Sequence, residues 1–114
     1  MFRLKFVALA CLTCLASPSS AEVDVARPAD CKLTINGKAI IKGKCVFTPT
    51  DTDGSFIIAT KDDRFFAVVL VNTPGKASGY WNETPFSGHA HTPLGDLVQD
   101  GACWLNDDAS ICAY

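Results

Sequence analysis

The sequence predicts an all-β protein: a small antiparallel barrel or sandwich of about seven to eight short strands, stapled by disulfides. Three observations predict it. Short runs rich in Val, Ile and Phe recur between turn residues, and no stretch carries a convincing helical period. Two dipeptides, Asn36-Gly37 and Asp100-Gly101, favour tight hairpin turns, because both central residues of a type I′ turn need positive φ. Four cysteines (Cys31, Cys45, Cys103 and Cys112) follow an export leader, and an even count in a small exported chain argues for two disulfides.

The leader is read from residues 1–21. Arg3 and Lys5 begin it, Phe6 to Ala16 form an apolar run too short to span a membrane, and Ser19 and Ala21 fit the small-x-small cleavage rule before Glu22. Retention as an uncleaved anchor and a lipid on Cys11 or Cys14 are the alternatives to cleavage; Ala8 or Cys11 stands where a lipidation motif wants Leu. Without the leader, eight basic residues face twelve acidic ones, a net charge of about −4. Such a scattered, mildly acidic chain is a poor fit for nucleic acid or an anionic membrane surface.

Residues 22–30 carry Pro28 and no periodicity, and read as a flexible lead-in to a single β domain over 31–114. Cys31 to Ile35 alternates apolar and polar, as a half-buried strand does. After Asn36-Gly37 the chain returns over Lys38 to Phe47. That turn sets Cys31 opposite Lys42, so either Gly43 marks a bulge that shifts the register or Cys45 pairs elsewhere. The favoured pairing is Cys31–Cys45 with Cys103–Cys112. Lys32, Lys38, Lys42 and Lys44 gather on this hairpin, as a solvated face or a guarded edge.

Thr48 to Gly54 is a turn-rich loop. Ser55 to Thr60 and Phe65 to Asn72 form a hairpin around Lys61–Arg64, with Phe56 near Val69, Ile57 near Val68 and Ile58 near Ala67. Both its faces are apolar, so both need cover. Thr73 to Lys76 is a turn, Ala77 to Asn82 a short strand containing Gly79, and Glu83 to Gly88 a loop. His89 to Thr92 alternates briefly before Pro93.

The last stretch reads as a three-strand meander. A turn at Asp100-Gly101 sets Val98 opposite Cys103 and Leu97 opposite Trp104. A loop over Asn106–Ala109 sets Trp104 opposite Ile111 and Cys103 opposite Cys112, within disulfide reach. Leu97, Trp104 and Ile111 then share one face, and Val98, Cys103 and Cys112 the other.

Candidate chemistry is sparse. His89 and His91 share a strand face in this reading and could begin a zinc or copper site, with Asp96 or Glu83 as third ligand. Asp51-Thr-Asp-Gly54 lacks the further acidic positions of a calcium loop and reads as a turn. Asp62-Asp63 and Asp107-Asp108 are neighbours on loops and point apart, which suits solvation better than acid–base work. No nucleophile motif or phosphate loop occurs, so the chain reads as a non-enzyme without a cofactor. Aromatics with a polar handle make the better binding candidates: Tyr80 and Trp81, with Asn82, His89 and His91 nearby, one of the two aromatics in the core and the other outward. Trp104 reads as core.

The run Gly79-Tyr-Trp-Asn82, His89-Ala-His91, Leu94-Gly-Asp-Leu97, Asp100-Gly-Ala-Cys-Trp-Leu-Asn106 and Ile111-Cys-Ala113 resembles a group of small exported proteins of Gram-negative bacteria. That resemblance implies a periplasmic address and no particular activity. In plan the chain is also similar to the periplasmic inhibitors of C-type lysozyme, which are leader-bearing, disulfide-stapled antiparallel barrels. Those carry Ser-Gly-x-x-Tyr followed by Trp-x-Lys-Gly. Here Ser78-Gly79-Tyr80-Trp81 departs from that spacing and no Trp-x-Lys-Gly follows, so no inhibitory residue is carried over. Three functions are expected in order: a binding or inhibitory module contacting another envelope protein, a metal-binding protein using His89 and His91, and a structural accessory without ligand.

Overall fold

The structure, a computed structural model, describes residues 22–114. The expected leader, with Cys11 and Cys14, lies outside the described residues. Eight strands follow one another as β1 (Arg27–Ile35), β2 (Lys38–Pro49), β3 (Phe56–Ala59), β4 (Phe66–Thr73), β5 (Lys76–Trp81), β6 (Thr92–Asp100), β7 (Cys103–Leu105) and β8 (Ala109–Ala113). Each pairs antiparallel with the next, and β1 pairs with β8, so the sheet closes into an up-and-down barrel with no free edge.

Alternation decides what goes inside. Leu33, Ile41, Ile58, Val69, Leu97 and Ile111 fill the interior, with Ala67, Ala77 and Gly79 as the small residues that make room. Lys32, Lys38, Lys42 and Lys44 are exposed on the outer wall of the first hairpin. An apolar interior within a charged wall is the reverse of a membrane barrel's pattern. No helix among the described residues is long and apolar enough to cross a membrane.

The hairpin of β3 and β4 has the predicted register: Phe56 faces Val69, Ile57 faces Val68 and Ile58 faces Ala67. Its inner face is buried. Its outer face receives less cover than the sequence demands: Ile57, Val68 and Tyr80 lie in one row and shield one another, while Leu70 stays exposed.

Both disulfides form as expected. Cys103 lies directly opposite Cys112 with Cα atoms 4.0 Å apart, on the outer wall. Cys31–Cys45 is diagonal: Cys31 faces Gly43 while Cys45 faces Ala29, and the Cα atoms are 5.8 Å apart. Asn36 and Gly37 both have positive φ, as the predicted turn requires. The expected shift of register exists, but between Leu33 and Thr34 and not at Gly43. It leaves Ile40 as the extra residue on β2 and carries Cys45 to within bridging distance.

Three other expectations are corrected. First, the turn between β6 and β7 is Gly101-Ala102, with Gly101 at φ +61, so Asp100 faces Cys103 and Gln99 faces Trp104. Glycine at the first central position is the type II′ arrangement. Trp104 changes partner by two residues, so both predicted faces survive. Second, β1 begins at Arg27, inside the expected lead-in. Pro28 fits because β8 pairs only with Cys31–Ile35, so nothing there needs its missing N–H. Third, residues 82–91 form one long loop with no strand at His89. β6 instead runs through Pro93, beside a register shift between Gly79 and Tyr80 and beyond the reach of β7.

Candidate functional site

The barrel has two different ends. The turns at 36–37, 60–65, 82–91 and 106–108 gather at one; the N-terminal segment, the 50–55 loop, the turns at 74–75 and 101–102 and Tyr114 gather at the other. The first end is capped. Trp81 finishes β5 and is 8% exposed, and Phe65 packs on its ring at 6.1 Å between ring centroids.

Asn82 follows, fully buried, and ties two loops together. Its Oδ1 accepts from the Phe66 amide (3.1 Å), and its Nδ2 donates to the carbonyls of Arg64 (3.1 Å), Ser87 (3.1 Å) and Thr84 (3.3 Å). Only an amide offers an acceptor and two donors on one short stem. The 60–65 loop is held in turn by Asp62, whose carboxyl lies below the usual range because the Thr60 hydroxyl and then the Arg64 amide bond to it.

This scaffold presents Phe86. Its amide donates to the Arg64 carbonyl (2.8 Å), the Ser87 amide donates to the Thr84 carbonyl (3.0 Å), and the Thr84 amide donates to the Asn82 carbonyl. Under these restraints Phe86 sits at φ +65 and Glu83 at φ +55. A bulky side chain seldom adopts the left-handed region, and holding one there costs about 1–3 kcal/mol. Phe86 is nevertheless 60% exposed, with the Arg64 guanidinium over its ring at 5.1 Å from the centroid.

The expected site residues divide around this loop. Trp81 and Asn82 are buried and offer no surface; Asn82 positions the loop. Tyr80 points to the outer wall and is half-buried. His89 and His91 are exposed in the loop, where His91 Nδ1 meets the His89 carbonyl at 3.1 Å, so the shared strand face that would have aimed both rings together does not form. Glu83 accepts from the Thr92 hydroxyl (2.8 Å). Among the described residues, no group of three or more His, Cys, Asp or Glu side chains is placed to hold a metal ion. Sequence reasoning missed Phe86 because a lone apolar residue in a loop has no period. The available signal was the length of that loop, ten residues between β5 and β6, with Pro85-Phe86 at its centre.

Fold and site together define a disulfide-stapled, eight-stranded up-and-down barrel that displays a pinned aromatic loop. No family model, no curated protein and no solved structure matches the chain.

Proposed function

We propose that this chain is an exported, periplasmic binding or inhibitory module that engages another envelope protein through the 82–91 loop with Phe86 as its anchor. One observation carries the reading: an aromatic ring held out in water on a strained backbone that a fully buried asparagine fixes in place. Folding alone gains little from that arrangement. A partner with an apolar pocket would gain a preordered anchor and lose little entropy on docking. Two disulfides suit an oxidising compartment, and the export leader read from the sequence supports the periplasm.

The test is photo-crosslinking in intact cells, with benzoylphenylalanine at position 86 or 83 and, as control, at Asp51 on the opposite end. A discrete protein adduct from the first two positions is expected, lost when Glu83 carries the crosslinker and Phe86 is changed to Ala. Adducts from Asp51 alone, or none at all, overturn the proposal. Full C-type lysozyme activity at saturating purified protein eliminates the lysozyme-directed version.

A further inference from the structure

The other end of the barrel is open. A cavity of about 590 Å³ enters it, within the size range of small-molecule pockets. Phe47 and Phe56 stack along one wall, their centroids 5.0 Å apart and their planes at 27°. Trp104, only 6% exposed, lines the cavity with Val71 and Ala113. Gln99, directly opposite Trp104, adds an amide, and the turn at Gly101-Ala102 contributes to the rim. An eight-stranded barrel is just wide enough to be filled by side chains or to hold one small ligand. Here the strand ends leave the upper layer unfilled, and Gly54, Gly75 and Gly101 line the opening without side chains to close it.

Charge narrows the occupant. Among the described residues no lysine or arginine lines the cavity, and Arg27, the cation beside it, lies over Phe47 at 4.9 Å in an adjoining cleft. The charged lining residue is Asp53. The Ser55 hydroxyl and amide hold its carboxyl below the usual range, so it stays ionised at neutral pH. A carboxylate or phosphate would enter against this charge with no cation among the described lining residues to meet it.

We infer that the open mouth is a second binding site, independent of the 82–91 loop, for one uncharged aromatic small molecule that lies against Phe47, Phe56 and Trp104. The stacked wall supplies flat apolar contact, and the Gln99 amide supplies a polar contact for a hydroxyl or amine on the ligand.

N-phenyl-1-naphthylamine, which is neutral, tests this by fluorescence titration into the oxidised protein, beside the anionic 1-anilinonaphthalene-8-sulfonate. Saturable one-to-one binding of the neutral probe is expected, at least about tenfold tighter than the anionic one. Ala113→Phe, which fills the mouth, weakens the neutral probe by at least about tenfold, and Phe86→Ala leaves it unchanged. Asp53→Asn keeps an oxygen to accept from the Ser55 amide, and should improve the anionic probe several-fold while sparing the neutral one. The inference is overturned by non-saturable binding, by equal uptake of both probes, by unchanged binding in a folded Ala113→Phe, or by Asp53→Asn having no effect on the anionic probe. Failure here leaves the loop's role standing, because the two sites occupy opposite ends.

Discussion

Asn82 uses both polar atoms of its amide in bonds to backbone, so its neighbours depend on it as much as it depends on them. Asn82→Ala strands the Phe66 N–H and the Ser87 carbonyl, while the Arg64 carbonyl keeps the Phe86 amide. An unmet buried polar group costs about 1–3 kcal/mol, and partial access of water leaves an expected loss of about 2–3 kcal/mol in denaturant unfolding. Asn82→Asp is the sharper substitution, because the shape is kept while the carboxylate faces three carbonyl oxygens. Its folded-state pKa would rise above the unfolded value near 3.9. The sign follows: the variant is least impaired below that pH and loses stability as pH rises through the elevated folded value. Equal stability of Asn82→Asp at pH 4 and pH 7 contradicts the bonding pattern. None of this was legible in the sequence, where Asn82 looked like an exposed polar companion of Trp81. Its partners lie up to 18 residues away, on a loop that only the barrel brings alongside.

Strands show where local chemistry suffices. Turn residues and loop length placed β3 against β4 and β7 against β8 in the observed register, and with them the Cys103–Cys112 bridge. The β6–β7 turn moved by one residue because the lone positive φ there is at Gly101 and can serve at either central position. Gly79 shows the opposite case. It faces Gly95 across the β5–β6 pair, and a Cβ there would lie 2.7 Å from Leu97 Cδ1 and 3.3 Å from Leu94 Cβ. Strand propensity predicts that Gly79→Val stabilises β5. Packing predicts the reverse, since Leu97 is 1% exposed and has no room to turn. The expected outcome is a loss of about 1–3 kcal/mol, read from the urea midpoint. A stabilised variant means that the interior yields more easily than this packing implies.

Closure is a property of the whole molecule. β1 must meet β8, the first strand the last, pairing Leu33 with Ile111 and Ile35 with Ala109. Contacts so distant in sequence have a high entropic cost to form, and a domain this small has a limited core to offset it. The two bridges flank that seam, one joining β1 to β2 and the other β7 to β8. Replacing either pair with Ala is expected to cost about 3 kcal/mol, because the closed loops are of similar length. Thermal unfolding of the two double variants tests this. If each removal leaves the midpoint within about 2 °C of the parent, the seam is held by packing alone.

The amino-acid sequence by itself determined the β class, the strand-rich runs, the Cys103–Cys112 bridge and the neighbours across the β3–β4 and β7–β8 turns, because turn dihedrals and side-chain alternation act over a few residues. Only the tertiary structure decided where the first hairpin slips, that the sheet closes on itself, which end is capped and which is open, and that Phe86 rather than Trp81 faces water. Those outcomes depend on which distant strand supplies a partner or fills a space, and no local pattern of residues carries that information.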